Sequence, residues 1–318
     1  MSSKKSPNST KHTVYLTSYM RPEMTRRSIE SVLKWENLDS LVIIIDGLRS
    51  SADSAEIKWR NQTIQLSETL ATTHSSVELW VYTDNIGITN HTKRIQGRAL
   101  ERGNSGIWLE EDIDLDLETY AGILNQLGLS KLKRPILASA FSHSNHFSSN
   151  GKLVKANLFL PLWGMAFNEA FYELFCKVWH DKKFEESIVE KTLESFFSNQ
   201  SLQDRLHKDR VTKYWKNYLS WGFLNQNRWD AVANYALWTQ SSYSLTTMNR
   251  LAEDLSYLDN RGMNQRKPPK RVGTHRLKER ALNGFDFCLD CEILGSRIDR
   301  SIVKRAQHSI GYRARNFL

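Results

Sequence analysis

Residues 107–116 read IWLEEDIDLD: Ile107, Trp108 and Leu109 lead into Glu110, Glu111, Asp112, Asp114 and Asp116 within seven positions. Carboxylates at this spacing repel one another, and a partly buried carboxylate loses hydration that only a hydrogen-bond donor, a cation or a proton replaces. The cluster is therefore either a solvated acidic turn after an edge strand, or a place where something positive is held at a strand end. The surrounding elements have to decide between the two.

Those elements alternate. TVYLTSY (13–19) is β-branched and aromatic and predicts a buried strand, and RPEMTRRSIESVLKW places Pro22 in the first turn of a predicted helix. SLVIIIDG (40–47) is a continuous apolar run of the kind found in parallel strands covered on both faces. SVELWVYTD (76–84) predicts a third strand, with a polar loop and a helix in NIGITNHTKRIQGRALERG, and SGIWLEED (105–112) predicts a fourth. Strands alternating with helices make an α/β domain with a mostly parallel sheet, which binds ligands beyond the carboxyl ends of its strands. Three of the four strands end in acids, namely Asp46, Asp84 and Glu110–Asp112, so one sheet edge is expected to gather them. Further on, RPILASAF and ANLFLPLWGMAF read as strands and Asn168 to Asp181 as a helix. Residues 184–224 read as mainly helical, with an aromatic stripe that serves a core or, alternatively, a sugar-stacking platform.

Composition narrows the class. The 318 residues are 40% hydrophobic and 25% charged, with ten Trp, eleven Tyr and thirteen Phe against only six Pro, which suits a globular chain with a substantial core. Cys176, Cys288 and Cys291 are an odd set that favours a reducing compartment over a disulfide framework. Cys288 and Cys291 form a C-x-x-C without a second pair, a weak zinc signature that only His275 or His308 could extend. The polar opening MSSKKSPNSTKH lacks the apolar stretch of a secretory leader, and no run approaches the length that crosses a bilayer, so a cytoplasmic location is expected. Neither G-x-G-x-x-G nor G-x-x-x-x-G-K-[ST] nor G-x-S-x-G occurs, which disfavours Rossmann dinucleotide enzymes, P-loop enzymes and α/β-hydrolases. The net charge of +9 belongs entirely to residues 261–318, where fourteen Lys and Arg stand against five acids.

In order along the chain, VYLTSYMRPEMTRRSIESVL with its S-Y-x-R-P turn, VIIIDG, DNIGITNHTKRIQGRAL and WLEEDIDLD resemble a nucleotide-sugar glycosyltransferase of the GT-A fold, similar to family 2 enzymes and to the N-acetylglucosaminyltransferase I type. The resemblance implies a Rossmann-like, mixed, mostly parallel sheet flanked by helices and a mainly helical C-terminal part. It covers residues 13–267, between a polar arm at 1–12 and a basic extension at 268–318. It also implies that Thr17, Ser18, Arg21, Asp46 and Asn85 line the base and ribose pocket. Asp112 would bind Mn²⁺ or Mg²⁺, with Glu110 and Glu111 toward ribose or metal-bound water. A hard cation on carboxylate oxygens bridges both phosphates of a UDP- or GDP-type sugar donor and takes up charge as the sugar leaves. Asp114 and Asp116 remain as solvated acids or caps for the next helix.

The later segment NRWDAVANYALW resembles the part of related transferases that precedes a nucleotide-facing loop. An inverting transferase needs a carboxylate to take the acceptor hydroxyl's proton, and Asp230 is the candidate, with Asp254 and Glu253 next; the alternative for Asp230 is a helix cap. Arg261, Arg266 and Lys267 would face the pyrophosphate. The expected acceptor is a surface polysaccharide, another glycan or a lipid-linked sugar, and nucleic acid is not expected as a partner. SRIDRSIVKRAQHSI reads as a basic amphipathic helix that either binds an anionic membrane surface, making the protein peripheral at the inner face, or packs on the domain. Two rival readings are a sugar nucleotidyltransferase, weakened by the absence of Gly in TSYMRPEM, and a non-catalytic carbohydrate- or nucleic-acid-binding protein on a degenerate transferase fold.

Overall fold

The structure is a computed structural model that describes residues 11–102, 106–127, 132–140, 154–157, 163–198, 208–225, 228–247, 251–254 and 288–289. Two compact units share the chain: Met1–Lys131 with Trp163–Ala166 and Leu251–Arg266, and Leu132–Leu162 with Phe167–Arg250 and Lys267–Leu318. The expected domain at 13–267 is thus divided between them.

In the first unit, β1 (His12–Ser18), β2 (Leu38–Ile45), β3 (Val77–Val81) and β4 (Ile107–Glu110) pair in parallel in the order β4-β1-β2-β3. The middle of β1 and the second half of β2 are apolar because they are covered on both faces: Val14, Tyr15, Leu16, Leu41, Val42, Ile43 and Ile45 are fully buried, whereas β3 is only partly covered. Met165 and Ala166 of β8 (Met165–Phe167) pair antiparallel with β4, which makes the sheet mixed. The helices α1 (Pro22–Leu33), α2 (Ser54–Thr73), α3 (Gly87–Glu101) and α4 (Leu117–Leu127) are the connecting and flanking elements. The α/β class and the mostly parallel, helix-flanked sheet are as expected.

Two differences from the sequence reading are informative. The 20-residue α2 has no apolar stripe; the residues it buries are Arg60, Thr63 and Ser67, so hydrophobic periodicity does not reveal it. Its hydroxyls bond within the helix, Thr63 Oγ1 to Trp59 O at 3.0 Å and Ser67 Oγ to Thr63 O at 2.8 Å, while Asp53 caps its start. The fourth strand is also shorter than expected. The chain turns at Glu111–Asp112 and continues as β5 (Ile113–Leu115), which forms a separate antiparallel ribbon with β10 (Ala252–Asp254).

Strand β3 and helix α3 meet as a ladder. Glu78 pairs with Arg102, the guanidinium of Arg98 lies 4.4 Å from the centre of the Trp80 ring, and that of Arg94 lies 4.8 Å from the centre of Tyr82. Steps of two along the strand direction match steps of four along the helix, so the two run antiparallel.

The second unit contains β6 (Leu137–Ser139), β7 (Val154–Asn157) and β9 (Ser244–Thr247), with β9 antiparallel to β7 and parallel to β6. The two-residue β11 (Cys288–Leu289) adds to β7. Helices α5 (Glu169–Asp181), α6 (Glu186–Ser198), α7 (Lys208–Ser220) and α8 (Trp229–Thr239) make it mainly helical among its described residues, and a π-turn at Trp221–Asn225 follows α7. Asn168 starts α5 by accepting from Phe171 N and also from Ile136 N, while its amide donates to Leu132 and Arg134 carbonyls. Of the aromatic stripe, Trp215 is fully buried and packs edge-on to Trp238 at 5.1 Å, whereas Trp221 is 49% exposed. No helix of the described residues is long and apolar enough to cross a membrane. Cys291, His275, His308, Arg261, Arg266, Lys267 and the basic extension apart from Cys288–Leu289 lie outside the described residues.

Candidate active site

The parallel strands β1, β2, β3 and β4 end at a common carboxyl edge, and the loops there carry Thr17 to Arg21, Asp46–Gly47, Asp84–Gly87 and Glu110–Asp112. Helix α1 begins immediately after β1, with Arg21 at the N-cap and Pro22 fixing the first turn. Thr25 Oγ1 donates to Arg21 O at 2.9 Å and shares a 2.6 Å hydrogen bond with Ser18 Oγ. Ser28 Oγ donates to Glu111 O at 2.8 Å, and Glu111 N donates to Thr17 O at 3.0 Å. The start of α1 and the β4–β5 turn are thereby stitched together.

Arg21 is what the acid cluster holds. Its Nε donates to Glu111 Oε1 at 2.8 Å and its Nη2 to Asp112 Oδ2 at 2.9 Å, with side chains only 10%, 9% and 13% exposed in these pairs. Burial alone would lower the proton affinity of Arg21, but the two carboxylates outweigh it and raise that affinity, so the guanidinium is firmly charged. Burial pushes the Glu111 carboxyl above the usual carboxylate range, with Arg21 opposing and Asp112 adding to the shift. Two atoms of the cluster, Arg21 Nη1 and Asp112 Oδ1, are buried without a hydrogen-bond partner among the described residues. Asp114 is 45% exposed with Arg27 at 3.5 Å, and Asp116 caps α4 by accepting from Thr119 N at 3.1 Å and Thr119 Oγ1 at 2.7 Å.

Carboxylate oxygens are the right chemistry for the expected Mn²⁺ or Mg²⁺. In this arrangement, however, a guanidinium already engages both Glu111 and Asp112, and no group of three metal-ligating side chains converges among the described residues. The residues as placed do not fit a divalent cation.

Of the residues expected to face the donor, Thr17 and Asp46 are turned inward. Thr17 Oγ1 donates to Leu109 O and accepts from Trp108 Nε1, both at 3.1 Å. Asp46 accepts from Gly47 N at 2.8 Å, Ile86 N at 2.9 Å and Gly87 N at 3.1 Å, and His91 Nε2 stands 3.1 Å from Oδ1. Burial works to raise the Asp46 pKa, but His91 and the backbone N–H groups win and hold it below the usual carboxylate value. Its carboxylate therefore caps α3 by taking up the N–H groups of Ile86 and Gly87. Asn85 Nδ2 donates to Gly47 O at 2.8 Å, and Arg60 reaches Asp46 O at 2.7 Å and Tyr82 O at 2.6 Å. At Gly47 a Cβ would sit 2.1 Å from the carbonyl carbon of Asp84, so only glycine lets these loops meet.

Among the proton acceptors, Asp230 lies in the second unit, in the first turn of α8 rather than at its cap, which is Arg228. It is 3% exposed and accepts from Tyr218 Oη at 2.7 Å and from Arg228 Nε at 3.1 Å and Nη2 at 2.7 Å. A carboxylate so engaged is a poor general base. Glu253 and Asp254 instead share the first unit with the acid cluster, in β10 opposite Asp114 and Ile113. The brace formed by Arg21 had no local signal in sequence, since it joins residues 90 positions apart.

No family model matches the sequence, and no curated protein matches it. The chain is similar to a solved structure titled "WbbM bifunctional glycosytransferase apo structure", with a TM-score of 0.35 and 10% identity, over 96% of this chain and 50% of that one. It thus spans about half the length of that neighbour, and a likeness of this degree carries no argument about activity.

Proposed function

We propose that this protein is a glycosyltransferase that binds a nucleoside diphosphate sugar, of UDP or GDP type, at the carboxyl edge of the first unit's parallel sheet. The observation that carries the reading is the convergence there of four strand-end loops with a buried guanidinium and consecutive acids, at the edge where open α/β sheets bind ligands. The transfer is read as inverting, with Glu253 or Asp254 of β10 taking the acceptor hydroxyl's proton, because they share the unit of the acid cluster while Asp230 is held by Arg228 and Tyr218. The acceptor is a surface polysaccharide or glycolipid, reached with the basic extension against an anionic membrane surface. A panel of nucleotide sugars tests this, read by thermal shift and by release of nucleoside diphosphate. A transferase gives selective stabilisation by one donor and slow hydrolysis of it, which Glu253→Gln or Asp254→Asn reduces about 10²- to 10⁴-fold.

A second reading, a non-catalytic carbohydrate-binding protein on a degenerate transferase fold, is favoured by the inward-turned Thr17 and Asp46. Glycan binding without donor hydrolysis would select it.

A further inference from the structure

The acid cluster presents a choice between two cations. Arg21 is 9% exposed, and its fork spans two consecutive residues, Nε on Glu111 and Nη2 on Asp112. Its backbone is fixed from both sides: Arg21 O accepts from Thr25 N and from Thr25 Oγ1, each at 2.9 Å, and Ser28 Oγ, one helical turn on, holds Glu111 O. A divalent ion on these carboxylates has to displace that guanidinium and leave a buried positive charge without a partner, or sit beside it, where the guanidinium offsets the attraction of the acids.

The leftover atoms point the same way. Arg21 Nη1 is a donor and Asp112 Oδ1 an acceptor, and both are buried with no partner among the described residues. A water or ligand hydroxyl suits both kinds of atom, since it accepts and donates. A metal ion satisfies the acceptor alone and opposes the donor.

We propose that Arg21 is the resident cation of the strand-end acids, so that Glu111 and Asp112 bind no divalent metal and the site takes its nucleotide without one. The second clause rests on the donor reading above; the first stands without it. A diphosphate bound here draws on no divalent metal, and chelation leaves its binding unchanged.

The test has two arms. In the first, MnCl₂ alone is titrated into the full chain and free Mn²⁺ is read by electron paramagnetic resonance. The expected result is no saturable site in the wild type, and a new site in Arg21→Ala, where the acids are released. Saturable Mn²⁺ binding in the wild type that Asp112→Asn abolishes overturns the proposal. This measurement decides even where Arg21→Ala does not fold, because it needs only the wild type and Asp112→Asn. In the second arm, thermal stabilisation by UDP and by GDP is compared in EDTA and in MnCl₂. Equal shifts support the proposal, and stabilisation that appears only with Mn²⁺ overturns it. Absence of stabilisation in both buffers counts against the donor reading, while the Mn²⁺ titration still settles the role of Arg21.

Discussion

Replacing Asp46 with Ala separates a structural from a ligand-binding role at the sheet edge. The side chain accepts from three backbone N–H groups, those of Gly47, Ile86 and Gly87, and stands 3.1 Å from His91. Truncation removes the acceptor from all of them. Water can enter and meet some, but leaving even two buried donors unmatched at the low end costs about 2 kcal/mol. Loss of the carboxylate's charge beside the N-terminus of α3 adds roughly 1 kcal/mol through the helix dipole. The expected loss is therefore about 3 kcal/mol out of a total stability on the order of 10 kcal/mol. Urea denaturation followed by far-UV circular dichroism measures it, with the midpoint moving and the slope constant. The difference also has a pH signature. Because the folded-state pKa of Asp46 lies below its ordinary value of 3.8, its contribution is fully present above that value. It is lost as pH falls through the lower folded value. Wild type and variant should thus differ by a constant amount near neutrality and converge in acid. A variant as stable as wild type at pH near 7 that has lost nucleotide binding would refute the clamp and return Asp46 to the ligand pocket.

Gly47→Ala should cost about 2 kcal/mol or more, since its Cβ would press into the backbone of Asp84 and Asn85 with no flexible side chain to yield; a thermal melt reads it. Tyr120→Phe should raise stability by about 1 kcal/mol in urea titration, because the Tyr120 hydroxyl is fully buried without a partner among the described residues. Asp230→Asn should lose about 1–3 kcal/mol by weakening the contacts to Arg228 and Tyr218. Donor hydrolysis per folded molecule should stay unchanged, and a fall of 10²-fold or more would restore Asp230 as the base.

What the sequence made legible follows from what is local. The apolar runs of β1 and β2 and the Pro22 start of α1 announced themselves because burial on both faces and helix entry leave short-range marks. Helix α2 left none, since it turns Arg60, Thr63 and Ser67 inward. The acidic segment was readable as a cluster in want of positive charge, but not as the partner of Arg21, whose distance along the chain carries no periodic trace. Asp46 was found at the right strand end with a different employment: the loops after β2 and β3 need an acceptor for their own N–H groups, and the fold meets that need first.

The ladder between β3 and α3 works as a vernier. Two strand residues advance about 6.6 Å, and four helix residues about 6 Å. The teeth Glu78, Trp80 and Tyr82 therefore mesh with Arg102, Arg98 and Arg94 over this short run. The ladder runs from the far end of α3 toward the end at which Ile86 and Gly87 present their N–H groups to Asp46. Arg102 thus belongs to the same ladder as Arg94, which lies two turns from the loop at Ile86 and Gly87.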